Sequence, residues 1–241
     1  MGSFINVVGL RYQSGFSING RSRCMYCNKK LSSRELIPII SYLLQKGRCV
    51  SCKSKLSLQY IVVELWMALL YFSFYLAYGF SSNFWIYSTV FSIYTIIAIY
   101  DFRHMIIPDF LSILSILISG LKPIFFANYS LMDWLAGPIL GFIFFMFWAI
   151  SRGRVMGLGD AKLTLSVGLL LGANTGFSAI ILSFWAGALF GFFLIFKNRI
   201  YPLLMSREKN TIKSEIPFAP FIILGAWIAT IFKLNLLQIL L

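Results

Sequence analysis

The sequence predicts an all-α polytopic membrane protein, a bundle of about seven to eight transmembrane helices with a small polar insert between the first and the second. Hydrophobic residues make up 59% of the 241 residues, charged residues only 12%, and the mean hydropathy is +0.81. Soluble domains carry charge on about a quarter of their residues. At about 20 apolar residues per crossing, the chain is long enough for this number of helices.

Apolar runs without charged residues locate the membrane segments. After a short apolar start at residues 1–10, we expect segments near 58–78, 83–100, 110–126, 134–150, 161–171, 177–196 and 218–237, with a tight turn at Gly172–Gly176. Residues 1–10 are about half as long as a crossing requires. This stretch therefore inserts only partway, or the true start lies upstream. The predicted organisation is a partial segment at 1–10, an insert at 11–57 and a catalytic bundle at 58–241.

Positive charge orients the helices, because Lys and Arg concentrate in the cytoplasmic loops of membrane proteins. Of the 21 Lys and Arg residues, all but Lys122 and Lys233 lie within residues 11–57, 101–109, 151–162 and 197–213. We therefore expect these four stretches on the cytoplasmic side of the membrane. This bias accounts for the net charge of +13 without nucleic acid as a partner, and the basic loops are expected to contact anionic membrane lipids.

All four cysteines lie in the insert as two CxxC pairs, Cys24 with Cys27 and Cys49 with Cys52. This spacing is typical of a structural zinc site in which four thiolates surround a tetrahedral ion. Two disulfides are the alternative, which a reducing cytoplasm disfavours. An insert with so little apolar content needs one of these cross-links to fold. We expect zinc, whereas a nucleic-acid-binding ribbon has only the spacing in its favour.

Two aspartates occupy positions that are costly for a carboxylate. Asp101 ends an apolar stretch, and Asp160 closes the motif Gly157-Leu158-Gly159-Asp160 ahead of another. Acidic residues at the edge of the hydrocarbon are rare and usually mark a functional site. The predicted orientation puts both at the same cytoplasmic depth. Two carboxyl groups within hydrogen-bonding distance share a proton, so one activates water while the other donates to a peptide carbonyl. We predict that Asp101 and Asp160 form the catalytic pair of an aspartic peptidase.

Other interpretations of these acids remain open. Asp160 is also a suitable N-cap for the helix that follows it, and Asp109, after a proline, suits a helix start. A transporter would use the carboxylates to line a path across the bilayer. Both acids lie at one face, however, and Glu64, Asp109 and Asp133 do not extend them into a midplane relay. A non-catalytic, membrane-anchored zinc module would need the cysteines but not the aspartates. Motifs of zinc and serine peptidases, HExxH and GxSxG, are absent from the sequence.

A series of motifs in order along the chain resembles the bacterial type IV prepilin peptidases. The series comprises Gly2-Ser3-Phe4-Ile5-Asn6-Val7-Val8 with Arg11, both CxxC pairs, Ile37-Pro38-Ile39-Ile40-Ser41-Tyr42, Gly47-Arg48-Cys49, Glu64-Leu65, the stretch from Asp101 to Asp109, Gly157-Leu158-Gly159-Asp160-Ala161-Lys162-Leu163 and Ile216-Pro217-Phe218-Ala219-Pro220.

The resemblance implies an enzyme of the bacterial cytoplasmic membrane with its active site facing the cytoplasm. Family members cut the basic leader from type IV prepilins or pseudopilins, which serve pili, competence or protein secretion. Many also methylate the new N-terminus with S-adenosylmethionine. The resemblance assigns catalysis to Asp101 and Asp160, and methylation to Gly47 and Arg48. It assigns zinc binding to Cys24, Cys27, Cys49 and Cys52.

A Gly-rich turn of the dinucleotide-binding type is absent, so the methyl donor needs a different pocket. A peptidase without methyltransferase activity is the alternative. The role of Glu64 stays open.

Overall fold

The computed structural model describes residues 2–12, 26–27, 29–30, 32, 40–125, 129–154, 156–200 and 217–236. Within these ranges the regular elements are all helices, and an isolated antiparallel bridge joins Arg48 and Lys55. The helices are α1 (Gly2–Arg11), α2 (Ile40–Leu44), α3 (Gln59–Tyr78), α4 (Ser82–His104), α5 (Asp109–Phe125), α6 (Leu131–Ser151), α7 (Leu158–Ile200) and α8 (Ala219–Phe232). The predicted all-α fold class is confirmed.

Four of the described helices are long and apolar enough to cross a membrane. They are α3, α4, α6 and the Leu158–Leu194 part of α7. Helices α5 and α8, with 17 and 14 residues, are shorter than the roughly 20 residues of a straight crossing. The four long apolar helices make the protein an integral membrane protein. Most helix ends lie within a few residues of the predicted ones, but α4 continues to His104 and so includes Asp101.

The chain divides into two compact units, Met1–Tyr100 and Asp101–Leu241. In the first unit α1 packs against α3. A Cβ atom on Gly2 would lie only 3.0 Å from the Cα atom of Glu64, so the two helices approach closely at this glycine. Aromatic packing joins α3 to the first part of α4, where the rings of Phe74 and Phe91 have centroids 5.0 Å apart. The first unit thus has a core of its own.

In the second unit α7 is the central helix and packs against α5, α6 and α8. Small residues allow the closest approaches. A Cβ atom on Gly168 of α7 would lie 2.7 Å from the Cα atom of Gly137 in α6, and one on Gly225 of α8 would meet the Ala179 carbonyl oxygen. Glycines at such crossings bring helix backbones into van der Waals contact, which drives helix association where water is excluded.

Helix α7 is interrupted at Gly172, whose φ of 77° and ψ of −175° are not helical. The backbone N–H of Ala173, which starts the second half, donates to the Asp133 carboxylate at 2.9 Å. Asp133 also forms a capping box with Ser130 at the start of α6. One carboxylate therefore caps two helix starts. The turn predicted at Gly172–Gly176 is confined to its first residue, because the helix resumes at once behind this cap.

The other side of the interruption is held by Lys122. This residue lies within the predicted segment 110–126, in the last turn of α5, and is only 8% exposed. Its Nζ atom donates to the Leu170 carbonyl at 2.7 Å, and the Tyr129 hydroxyl donates to the same oxygen at 2.9 Å. A cation at the carboxyl end of a helical segment is favourable because the segment dipole is negative there.

Candidate active site and metal centre

Asp101 lies in the last turn of α4 and is 5% exposed. Its own helix opposes a carboxylate at this position, because the carboxyl end of a helix carries partial negative charge. The start of α8 supplies the compensation. The backbone N–H of Ala219, the first residue of α8, donates to Oδ2 of Asp101 at 3.3 Å. Asp101 is therefore oriented by a helix that begins 118 residues further along the chain.

Asp160 is the third residue of α7, which begins at Leu158 rather than at Ala161, and it is 8% exposed. Its Oδ2 atom accepts the backbone N–H of Gly157 at 3.1 Å. This is a capping interaction at the start of a helix. Asp160 therefore stabilises the start of α7 in addition to any chemical role.

The structure buries both Asp101 and Asp160, and both belong to the unit Asp101–Leu241. Each carboxylate has one oxygen held by a backbone N–H, from Ala219 or from Gly157. Buried acids that repel each other hold one proton between them more readily than two charges. Such an arrangement is able to donate and accept a proton at the same time.

The segment between α4 and α5 packs directly on the GxGD motif. Ile107 is buried, and a Cβ atom on Gly159 would lie 2.6 Å from its Cβ atom. The backbone N–H of Met105 bonds to the Asp101 carbonyl at 2.9 Å, which ends α4 close to the carboxylate. Sequence reasoning included Ile107 and Ala219 in motifs without giving either a role. Their contacts use an apolar side chain and a backbone N–H, which have no distinctive sequence signal.

The start of α8 is anchored by aromatic rings. Phe218, directly before Ala219, has its ring centroid 5.3 Å from that of Phe184 in α7 and 6.4 Å from that of Phe144 in α6. Aromatic pairs at these separations are favourable beyond the area they bury. The donor to Asp101 is thus held in place by helices α6 and α7.

Asp109 and Lys162 form an ion pair beside the segment between α4 and α5. Helix α5 begins at Asp109, as the sequence predicts. Lys162 lies two residues after Asp160. It bonds to Asp109 because the packing of α5 on α7 brings the two side chains together.

Three of the four predicted metal ligands lie together. The Sγ atoms of Cys27, Cys49 and Cys52 are all within 4.8 Å of one another, and Cys24 lies outside the described residues. Tetrahedral zinc with Zn–S bonds of about 2.3 Å holds its sulfurs about 3.8 Å apart. The cluster therefore fits zinc and has the soft thiolate donors that zinc prefers.

The local turn favours the metal-binding form of Cys52. Its Sγ atom lies 3.0 Å from the Ser54 hydroxyl oxygen. Hydrogen bonds from the side chain and the backbone of Ser54 lower the pKa of the Cys52 thiol. Thiolates are the form that binds metal, so this bonding prepares the ligand before the ion arrives.

Gly47 and Arg48 lie in an open groove of about 510 Å³ next to the cysteine turn. Its lining consists of Tyr42, Lys46, Gly47, Arg48, Lys55, Leu56 and Leu58. Gly47 has a φ of 67°, and a Cβ atom there would lie 2.7 Å from the Tyr42 hydroxyl oxygen. The volume is in the range of small-molecule sites. Three cations beside one aromatic ring suit a ligand that carries a carboxylate group and a flat ring. Tyr42 belongs to a motif that the sequence analysis quotes without giving it a role, whereas Lys46 and Lys55 lie outside the quoted motifs.

The fold and the site together define a class, that of helical membrane proteins with a buried aspartate pair and a cysteine cluster. Comparisons with known proteins give the family. Residues 1–78 match the Bacterial Peptidase A24 N-terminal domain, and residues 88–192 match the Type IV leader peptidase family. A prepilin leader peptidase/N-methyltransferase of Bacillus subtilis (strain 168) is 31% identical over 96% of this chain and 90% of its own length.

Proteins of the same name from Pseudomonas aeruginosa and Stutzerimonas stutzeri are 32% and 30% identical, over 86% of this chain and 70% of their own lengths. The chain belongs to the type IV prepilin peptidase family. No solved structure matches the chain significantly.

Proposed function

We propose that this protein is a membrane aspartic endopeptidase that removes the basic leader from type IV prepilins or pseudopilins and then methylates the new N-terminus. The substrate and the two activities follow from the name shared by its relatives, prepilin leader peptidase/N-methyltransferase. The observation that carries the peptidase half is the joint burial of Asp101 and Asp160. The basic loops support a site on the cytoplasmic side of the cytoplasmic membrane.

In this proposal the aspartate pair acts as combined acid and base. The ionised carboxylate takes a proton from the water that attacks the scissile carbonyl carbon. The protonated carboxyl donates its proton to the carbonyl oxygen. When the tetrahedral intermediate collapses, the carboxyl that took the proton from water passes it to the leaving amine, and the other carboxyl regains its own. The N–H groups of Ala219 and Gly157 keep one oxygen of each carboxyl in place, so the pair is oriented before substrate binds. Because the two acids are coupled, their apparent pKa values belong to the pair.

The methyltransferase half is assigned to the groove around Gly47 and Arg48. S-adenosylmethionine supplies an electrophilic methyl group for the new terminal amine. In our assignment Lys46, Arg48 and Lys55 would hold its carboxylate, and the Tyr42 ring would contact its adenine. Gly47 permits the close approach of the backbone to Tyr42.

The structural zinc is assigned to Cys24, Cys27, Cys49 and Cys52. Three of these sulfurs already cluster. With four protein ligands a zinc ion has no open coordination position. We therefore give it a structural role in the insert and no part in peptide hydrolysis.

Asp101→Asn and Asp160→Asn test the peptidase directly. We expect each to lower leader release by about 10²-fold or more, which is the usual contribution of a general acid or base. The assay uses the purified full-length enzyme with a peptide that has a basic leader and its apolar helix. Asp133→Asn is the matched control, because it makes the same chemical change at the Gly172 interruption. Full leader release by both pair variants would contradict the proposal and favour the non-catalytic zinc module.

Arg48→Gln tests the methyl-donor groove in the same assay with labelled S-adenosylmethionine. We expect methyl transfer to fall about tenfold while leader release stays within about twofold, since a charged hydrogen bond contributes about 1.5 kcal/mol or more. Lys53→Gln is the matched control, because it removes an exposed cation of the adjacent turn that does not line the groove. Leader release by the wild type without any methyl transfer would establish the peptidase-only alternative.

A further inference from the structure

Asp101 and Asp160 lie on different helices, so their separation depends on how the start of α7 is held against the segment that follows α4. Two contacts close to the aspartates join these parts. One is the packing of Ile107 on Gly159, and the other is the ion pair between Asp109 and Lys162. Both contacts are within two residues of Asp160 along α7.

The apolar contact sets the distance of approach but not the register. Ile107 meets the backbone at Gly159, which has no side chain with which it can interlock. Dispersion forces at such a flat contact resist separation and compression. At this end of α5 they supply no bond that resists sliding of the Ile107 segment along the first turn of α7. At the far end, Ser119 bonds to Ser166 and Lys122 bonds to the Leu170 carbonyl.

The ion pair supplies the restraint on sliding that the apolar contact lacks. Lys162 and Asp109 are bonded side chain to side chain, with side-chain exposures of 31% and 71%. Each lies close along the chain to a partner in the apolar contact, Lys162 three residues after Gly159 and Asp109 two residues after Ile107. A charge pair at a fixed position restrains sliding along the helix.

The sizes of two effects show whether this ion pair should affect the stability of the protein or its turnover. Solvated ion pairs contribute little to the free energy of unfolding, because water screens them. A displacement of about 1 Å in a catalytic constellation, however, is able to cost about 10²-fold in rate. The pair should therefore matter more for turnover than for stability.

We propose that Asp109 and Lys162 are a positioning pair that holds the carboxyl groups of Asp101 and Asp160 in their working register. This inference rests on the proposed peptidase function. The two residues act by fixing the start of α5 on the start of α7, and neither takes part in proton transfer.

The kinetic test compares Asp109→Asn, Lys162→Gln and the exchanged pair that combines Asp109→Lys with Lys162→Asp in the purified full-length enzyme. We expect each single change to lower kcat about fivefold with KM within about twofold, and the exchanged pair to recover kcat to within about twofold of wild type. Arg154→Gln, which removes an exposed cation from the loop before α7, is the matched control and should leave kcat unchanged.

A direct role of Asp109 in binding the basic leader predicts a different pattern. Asp109→Asn would then raise KM with little change in kcat, and the exchanged pair would bind the leader still less well. That pattern, or unchanged kcat in both single variants, would overturn the positioning role.

A cross-linking experiment separates this inference from the proposed function. Asp101→Cys with Asp160→Cys allows a disulfide to report the approach of the two positions, and cross-linked peptides identified by mass spectrometry distinguish it from disulfides of the native cysteines. We expect Asp109→Asn to slow its formation about threefold and the exchanged pair to restore the rate. Equal rates in all three backgrounds would overturn the positioning role. Failure of the wild type to release leader would overturn the proposed function alone.

Discussion

The two glycines of the GxGD motif have different surroundings. Gly159 has Ile107 against it, and an added Cβ atom would lie 2.6 Å from the Ile107 Cβ atom, closer than two such atoms approach. At Gly157 the nearest atom to an added Cβ would be Oδ2 of Asp160 at 3.5 Å, an ordinary contact. Only Gly159 is required by close packing.

Gly159→Ala is therefore expected to lower leader release strongly, by about tenfold or more, because the Ile107 segment must move away from the aspartate pair. Gly157→Ala is the matched change one position outside the contact and should stay within about threefold. Initial rates of the two purified variants give the comparison. A greater loss from Gly157→Ala would contradict this assignment.

Residue identities explain which parts of the site could be predicted. Carboxylates in apolar surroundings and paired cysteines are costly or unusual, so Asp101, Asp160 and the CxxC pairs stand out in the sequence. Ala219 contributes only its backbone N–H, which every residue except proline possesses. The partner of Lys162 depends on the packing of α5 against α7, and no local pattern specifies it.

At the scale of elements, the interruption of α7 at Gly172 depends on a conformation that only glycine adopts readily. Its φ of 77° and ψ of −175° lie in a region that costs other residues on the order of 1–3 kcal/mol. An added Cβ atom would also lie 2.6 Å from Oδ1 of Asp133, the oxygen that caps Ala173. A side chain at this position would therefore displace the cap.

Gly172→Ala should lower the free energy of unfolding by about 2 kcal/mol, from backbone strain together with the displaced cap. Gly120→Ala is the control, since an added Cβ atom there meets nothing within 4 Å. That change should be neutral or stabilising by up to about 1 kcal/mol, because alanine is the better helix former. Thermal unfolding of both variants in one detergent tests the difference in stability between them. Equal unfolding midpoints would contradict the backbone strain expected at Gly172.

Helix positions followed from the sequence because uncharged apolar runs have the length that a bilayer requires. The finer features of the fold did not follow from the sequence. Ala173 resumes a helix immediately after Gly172 because Asp133, 40 residues earlier, accepts its N–H. Such a distant cap leaves no local signal. The short helix α2 was missed because its five residues show no periodicity that can be distinguished from a loop.

For the whole molecule, the division into two units separates the proposed chemistries. The cysteine cluster and the groove at Gly47 belong to Met1–Tyr100, whereas both aspartates belong to Asp101–Leu241. Each unit has its own packed helices. Damage to the metal site should therefore affect the two activities unequally.

Zinc removal tests this separation. We expect about one zinc per chain by elemental analysis, and a lower content in Cys49→Ser, because each thiolate is a large share of the ligand set. Chelation should abolish methyl transfer while leader release keeps at least about half its rate, since a structural ion stabilises the unit that contains it. Readdition of zinc is the control. Equal loss of both activities would contradict independent units.

The hydrogen bond from Ala219 to Asp101 has a practical consequence for attempts to shorten this enzyme. The match to the Type IV leader peptidase family ends at residue 192, and both acids lie before that point. A fragment trimmed to that boundary would keep the pair yet lose the only described backbone donor to Asp101. Inhibitor screens or minimal enzymes built on this scaffold should therefore retain α8 as part of the proposed catalytic site.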